Sequence, residues 1–492
     1  MLLGMRVCEH DTNFALWDGE RVRYHKTERT LKQKHHAQDN LWEWQETIKR
    51  VFGIYPDQLK EIAIAVDPWR HKLPTDEEQF FPSKPFPYID APCPVTRVNH
   101  HWAHALSTWM IQPQTDVQIV IDGFGDYDVA WSVFRNNELV DTGSVEQDGS
   151  IGHLMYWAGT HLGVKADHAE DIAGKLMGLQ SYGRLDQTYL EYTRRFGMRD
   201  LHELFDLRTW NKHLDSDVLA GLRSIDWIRT LHERVGELLV DFVGKYAQPY
   251  ESISYTGGVA QNVIWNTGIL HAFPQTVIPP HCADEGLSLG LLEFLRQKHN
   301  LAPFTLPDFP YVQTDVAPDS QPSLDTIRKT AAALADGRVV AWYQGRGEVG
   351  PRALGNRSIL AHPGLDRSKI NAIKRREGYR PFGATILEEH KDTFTGLVNN
   401  PYMLSVGHTD STDYPAVTHV DGTCRAQTLG TENPLFRRLL EEFHRLTGLP
   451  LVLNTSLNLA GQPIAATPEQ ARELFETTDI DVLVIGDEYE TA

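Results

Sequence analysis

The stretch Gly345-Arg346-Gly347-Glu348-Val349-Gly350-Pro351-Arg352-Ala353-Leu354-Gly355-Asn356-Arg357-Ser358 sets arginines among glycines. A guanidinium is a planar fork of donors that matches the oxygens of phosphate, and it stays charged at any working pH. Glycine lets backbone come close to a ligand. From Arg346 to Arg380 there are nine basic residues and three acidic ones, in a chain whose net charge is −19. A basic island in an acidic protein is suited to holding an anion. From charge alone, a solvated face with ordinary ion pairs is an equal reading.

A second constellation suits a metal. His100 and His104 are four residues apart, so on a helix both imidazoles face one way, with His101 pointing elsewhere. Asp122 and Asp284 are candidate carboxylate ligands. Two histidines with carboxylates suit Fe(II), Zn or Mn, and ligand softness does not choose among them. Among 22 histidines, chance pairs at this spacing are expected, so the pair alone is a weak signal.

These groups need elements to carry them. Val117 to Ile121 reads as a buried strand ending in Asp122-Gly123. Residues 226–246 carry apolar side chains at helical spacing. Ser252 to Tyr255 reads as a strand running into Thr256-Gly257-Gly258. Strands alternating with helices predict an α/β fold with a largely parallel sheet, and its ligands beyond the carboxyl ends of the strands. Residues 300–323 hold five prolines and read as an interdomain linker. A helix over 324–336 and a strand over 339–342 then lead into the arginine-glycine segment. Asn433, Pro434 and Gly448 are placed to cap, open and close a helix. Leu449 to Leu453 reads as a strand leading into Asn454-Thr455-Ser456. No tandem repeat is visible.

At 492 residues the chain is expected to form two to four domains. Its 41 % hydrophobic and 23 % charged content is that of a soluble globular enzyme. The acidic balance counts against broad attraction to nucleic acid, although a local basic channel would suffice for contact. Cys8, Cys93, Cys282 and Cys424 are scattered, without a CxxC, as in a reducing compartment. The apolar run at the start is too short for a signal peptide, and no run approaches the ~18 apolar residues of a membrane span. A cytoplasmic protein is the expectation.

Several segments together resemble one family. They are His10-Asp11; Glu28-Arg29 with Lys34-His35; the run from His100 to Ala105; Val120 to Gly123; Gly174 to Leu179; Thr256 to Asn262; and Asp284 to Gly290. Further along come the arginine-glycine segment, Lys374 to Phe382, His419 to Arg425, and Asn454 to Asn458. In this order the set resembles the O-carbamoyltransferases of antibiotic and nodulation-factor biosynthesis.

The resemblance implies a Kae1-like domain of the actin-type (ASKHA) superfold over 1–310, and a YrdC-like α/β domain over 324–492. It implies that the later domain joins carbamoyl phosphate to ATP, with Mg accompanying ATP, and forms carbamoyl adenylate. The earlier domain then passes the carbamoyl group to an acceptor hydroxyl. Arg352, Arg376, Arg380 and Arg425 match positions that grip the anions. Arg346 and Arg357 match less well, since each could instead brace the glycine loop. Thr423, Asn454 and Ser456 are implied to hydrogen-bond the adenylate, and Gly257, Gly258 and Asn262 to shape an adenosine pocket in the first domain. His100, His104, Asp122 and Asp284 correspond to iron ligands. His10 is implied as the proton acceptor, or else as a structural histidine, and Lys34 and Asp171 lie near the acceptor or the bound anion.

The chain departs from the family at Ala173, Leu457 and Gly383-Ala384, which bears on the acceptor pocket. The acceptor is a natural product, a sugar or a hydroxymethylated nucleobase, with net charge disfavouring DNA. Rival readings are a threonylcarbamoyl-type tRNA modification enzyme, an actin-fold sugar kinase and a non-catalytic nucleotide sensor.

Overall fold

The computed structural model describes residues 1–7, 10–38, 41–66, 82–112, 114–145, 149–197 and 223–492. Cys8 lies outside them. Three mixed sheets carry the fold, with helices between their strands. The first contains β1 (Leu2–Arg6), β2 (Asn13–Trp17), β3 (Val22–Lys26), β4 (Glu61–Ala65), β5 (Ser83–Pro85) and β6 (Val95–Val98), in the order β3-β2-β1-β4-β6-β5. The second contains β7 (Val117–Ile121), β8 (Val129–Arg135), β9 (Glu138–Ser144), β10 (Ile253–Thr256) and β11 (Thr276–Val277), in the order β11-β10-β7-β8-β9.

The same plan occurs twice. β1 has an antiparallel partner, β2, on one side and the successive parallel strands β4 and β6 on the other. β7 likewise has antiparallel β8 on one side and parallel β10 and β11 on the other. This doubled plan is the actin-type architecture, repeated in topology where the sequence shows no repeat. The sheets are mixed rather than largely parallel, because short connections make hairpins. Asn136 and Asn137 join β8 to β9 with φ of 52° and 65°, and a tight turn of that hand matches the twist of paired strands.

The third sheet has eight strands. They are β12 (Val340–Tyr343), β13 (Arg357–Ala361), β14 (Gly383–Leu387), β15 (Ser405–His408), β16 (Thr423–Leu429), β17 (Leu451–Ser456), β18 (Val482–Ile485) and β19 (Glu488–Thr491), ordered β15-β16-β14-β17-β13-β12-β18-β19. Strand alternation sends Ala341 and Tyr343 to one buried cluster, and Val340 and Trp342 to another. The helices Ser224–Tyr246, Leu324–Ala335 and Pro434–Thr447 lie where periodicity and capping residues put them. One boundary differs. Asn454, Thr455 and Ser456 are strand residues inside β17, because β13 pairs with all three and β14 with Asn454 from the other side.

By internal packing the chain divides into two compact units. The first is residues 1–19, 37–47 and 54–304; the second is 20–36, 48–53 and 305–492. Residues 20–36 group with the later residues because hydrogen bonds tie them there: Thr314 N–H donates to Tyr24 O at 2.7 Å, and Arg29 Nη2 to Gly350 O at 2.9 Å. Among the described residues, no helix is long and apolar enough to cross a membrane.

Candidate active site and metal-binding cluster

In the first unit, Asn99 opens the helix His100–Ser107 by accepting from Trp102 N–H. Its fourfold spacing turns His100 and His104 to one side. Asp122 follows β7, and Asp284 opens the turn before the helix Leu287–Lys298. That helix lies close to the histidine helix, since Gly290 has no side chain; a Cβ there would sit 1.8 Å from Ala103 O.

His100, His104, Asp122 and Asp284 converge, all buried. His104 Nε2 lies 3.1 Å from His100 Nε2, 3.1 Å from Asp122 Oδ2 and 3.2 Å from Asp284 Oδ1. One ring nitrogen carries at most one proton, so it cannot serve three such neighbours by donation. Lone pairs gathered at these separations fit a shared cation with ligands at about 2.0–2.2 Å. The second carboxylate oxygens are committed elsewhere. Asp122 Oδ1 accepts from Gly123 N–H at 2.7 Å and Gly258 N–H at 3.0 Å, and Asp284 Oδ2 from Arg6 Nη2 at 2.9 Å. Each carboxylate therefore presents one oxygen to the cluster, held in place from behind. Burial by itself would raise both carboxyls, but the facing imidazoles hold them below the usual carboxylate range. His101 points away to Ser132 Oγ at 2.9 Å, and burial lowers its pKa to about 3.

His10 borders this cluster. Its Nδ1 is 2.9 Å from Asp11 Oδ2 and its Nε2 is 3.7 Å from Asp284 Oδ2, with 38 % of the side chain exposed. Burial lowers its pKa, but Asp11 and Asp284 outweigh burial and raise it to about 9. Asn13, for which sequence reasoning assigned no role, donates from Nδ2 to Asp11 O at 2.6 Å and to Asp284 O at 2.9 Å. The only local signal for it is its place two residues after Asp11.

Gly257, with φ of 94°, packs where a Cβ would sit 2.2 Å from Ile121 O, and Gly258 supplies an N–H to Asp122. Asn262 caps a helix: its Oδ1 accepts from Ile264 N–H at 3.2 Å and Trp265 N–H at 3.3 Å. Gly257 and Gly258 thereby set the turn after β10 against Asp122. Asp171, in the first turn of the helix Glu170–Leu179, is not part of the four-ligand cluster.

The second unit gathers cations. Arg352, Arg376 and Arg380 all act on Arg425 of β16; burial first, and then these neighbours, push the Arg425 guanidinium well below its ordinary pKa. Arg425 has no carboxylate partner among the described residues, and its Nε is buried without a hydrogen bond. The Arg376 guanidinium stacks 3.8 Å over the Phe382 ring and donates from Nε to Asn371 Oδ1 at 2.9 Å. Arg380 is 3.7 Å from Glu377. Lys374, which carried no assigned role, is buried and donates to Ser456 O and Asn458 O, each at 2.6 Å. Burial, then Arg376, Arg380 and Lys34, push its pKa well down. Lys34 therefore lies within electrostatic reach of these cations, in the second unit.

Other residues expected at the anion are bonded within the protein. Arg357 is a brace: its guanidinium pairs with Asp315 Oδ2 at 2.8 Å, both side chains fully buried, and lies 3.6 Å over the Tyr343 ring. Arg346 is exposed, and its carbonyl accepts from Asn356 Nδ2 at 2.7 Å. Asn454 is buried, its Nδ2 shared between Ala353 O at 3.2 Å and Thr385 Oγ1 at 2.9 Å. Thr423 Oγ1 donates to Asp421, and Ser456 Oγ to Asn458 Oδ1, each at 2.6 Å. Arg357→Ala is accordingly expected to destabilise the protein by about 3–5 kcal/mol, because it strands a buried carboxylate. A lowered urea midpoint checks this; an unchanged midpoint with lost anion binding would return Arg357 to the ligand site.

Two family models match the chain: the carbamoyltransferase N-terminus over residues 88–291 and the carbamoyltransferase C-terminus over residues 331–490. The nodulation protein NolO of Bradyrhizobium diazoefficiens is 32 % identical over 79 % of this chain and 78 % of its own length. The nodulation protein NolNO of Sinorhizobium fredii is 30 % identical over 80 % of this chain, which spans 64 % of that relative. The 3'-hydroxymethylcephem-O-carbamoyltransferase of Amycolatopsis lactamdurans is 36 % identical over 52 % of each chain. With matches to both halves of the fold and a relative aligned over most of its length, the chain belongs to the carbamoyltransferase family.

Proposed function

We propose that the protein is an ATP-dependent O-carbamoyltransferase working in two steps. In the second unit, water cleaves carbamoyl phosphate to phosphate and carbamate, and a carbamate oxygen then attacks the α-phosphorus of ATP, breaking its bond to the departing pyrophosphate and giving carbamoyl adenylate. In the first unit, an acceptor hydroxyl attacks the carbamoyl carbon, the bond to the adenylate oxygen breaks, and AMP leaves. The observation that carries this reading is Arg425, half-buried with its Nε shielded from solvent and without a hydrogen bond, under the charges of Arg352, Arg376 and Arg380 and without a carboxylate partner among the described residues. Like charges in a poorly solvated site repel strongly, and a polyanion relieves that repulsion. Two reactants that repel each other are aligned there by charge and position. Lys34 adds a cation from residues 20–36.

An Fe(II), Zn or Mn ion held by His100, His104, Asp122 and Asp284 would polarise a carbonyl or phosphoryl oxygen as a Lewis acid. His10 is placed to take the acceptor proton at Nε2, with Asp11 fixing the other ring nitrogen. That role requires the Asp284 charge to be neutralised, since Asp284 helps keep His10 protonated. In this reading the Gly257-Gly258 turn beyond β10 borders the adenylate pocket, with its N–H groups already bonded to Cys282 O and Asp122 Oδ1. The acceptor is a natural-product, sugar or hydroxymethylated-nucleobase hydroxyl, and the similarity to a 3'-hydroxymethylcephem-O-carbamoyltransferase supports a hydroxymethyl acceptor.

The protein should release pyrophosphate from ATP only when carbamoyl phosphate is present. In a panel of hydroxyl compounds, mass spectrometry should find one that gains a single carbamoyl group, with AMP formed. Pyrophosphate release indifferent to carbamoyl phosphate, with no acceptor carbamoylated, would overturn the reading.

A further inference from the structure

We infer that Glu348 is a positioning residue for the carbamoyl-phosphate site, setting the loop from which Arg352 reaches the bound anion. The inference rests on the proposed anion site. Glu348 is fully buried. One carboxylate oxygen, Oε1, accepts three backbone N–H groups: Leu354 at 2.8 Å, Asn356 at 2.8 Å and Arg357 at 3.1 Å. Three N–H donors from four consecutive residues, folded around one oxygen, hold a fixed backbone concavity.

The carbonyls of the same loop are held from the other side. Ala353 O accepts from Asn454 Nδ2 at 3.2 Å. Leu354 O accepts from Tyr311 Oη at 2.9 Å and Gln427 Nε2 at 3.2 Å. Asn356 is tied as well, accepting at Oδ1 from Asn433 Nδ2 at 2.9 Å. Arg352 stands at the head of this pinned segment, with its charge close enough to act on Arg425. Nothing in these contacts places Glu348 on the anion. A carboxylate in direct contact with phosphate oxygens would repel them, whereas one that gathers N–H groups behind the loop fixes the loop. Gripping by a guanidinium depends on where its fork is aimed, so loosening the base of the loop weakens the grip without removing the charge.

The test uses the intact chain and carbamoyl phosphate. Glu348→Ala removes the acceptor oxygen, while Glu348→Gln keeps one and drops the charge. In the carbamoyl-phosphate-dependent pyrophosphate assay, Glu348→Ala is expected to raise the KM for carbamoyl phosphate about tenfold, with Glu348→Gln restoring most of the loss. In an Arg352→Ala background, Glu348→Ala should add little, since both act through one guanidinium. Where Glu348→Ala does not fold, Glu348→Asp, which withdraws the oxygen by one methylene, carries the same expectation. An unchanged KM in a folded variant, or a full further rise in the Arg352→Ala background, overturns the inference. If Arg352→Ala itself has no effect, the anion site is wrong; if Arg352→Ala acts and Glu348→Ala does not, only the role of Glu348 is wrong.

Discussion

Arg425→Ala is expected to slow carbamoyl-phosphate-dependent release of pyrophosphate by about a hundredfold to a thousandfold, the size of effect seen when one preorganised donor to developing charge is removed. Arg425 sits on β16, whose pairing with β14 and β15 fixes its backbone. Its Nε is buried without a hydrogen bond, and the charges of Arg352, Arg376 and Arg380 act on it. Its neighbours are of its own sign, so removing it relieves repulsion in the free protein. Folding stability should therefore hold or rise slightly, while activity falls. That opposition separates a ligand-binding arginine from a structural one. For Arg357, paired to Asp315, both the sign and the observable are reversed. The measurement is pyrophosphate release at saturating ATP, with thermal unfolding on the same samples. If Arg425→Ala lost stability and kept its rate, the guanidinium would be part of the scaffold and the adenylation site would lie elsewhere.

The contrast between these two arginines shows what could be read from the chain and what could not. Residue type and local spacing turn His100 and His104 to one side of a helix whatever surrounds them, and set Asp122 at the end of a clear strand. They were not enough for Arg357, whose partner Asp315 lies 42 residues earlier in an irregular stretch. Arg357 matches the anion-gripping positions less well than Arg352, and the fold supplies a physical reason: the Asp315 carboxylate is paired to its guanidinium. The glycines after β10 suggested close approach to a ligand; the close approach found is to Ile121 O and to the Asp122 carboxylate. The apolar run ends the expected strand at Leu453, but the ladders from β13 and β14 carry it on through Asn454, outweighing the local preference of a polar side chain. The grouping of residues 20–36 with the later unit depends on hydrogen bonds such as that from Thr314 to Tyr24, hundreds of residues apart, and no periodicity reports contacts of that range.

His104→Ala carries the other large expectation: metal affinity lower by about a hundredfold or more, with carbamoyl transfer lost and pyrophosphate release retained. His104 is the most central of the four groups, its Nε2 within 3.2 Å of an atom of each of the others. Losing an outer support of a metal ligand commonly weakens binding by 10- to 100-fold, and losing the ligand itself should do at least as much. Removal also leaves Asp122 and Asp284 facing each other across a cavity, with His100 as the remaining imidazole between them, so repulsion between the carboxylates grows. His101→Asn is the matched control. It changes the adjacent histidine, which points to Ser132, and should leave metal content at the parental value. Elemental analysis after dialysis gives the stoichiometry, and the two half-reactions are assayed separately. Their separation is the point. A variant that still makes pyrophosphate but no longer carbamoylates its acceptor assigns the imidazole–carboxylate cluster to transfer and the arginines to activation. Equal loss of both half-reactions would mean that the cluster serves the fold or the adenylation step, and parental metal content in His104→Ala would remove the histidine from the ligand set.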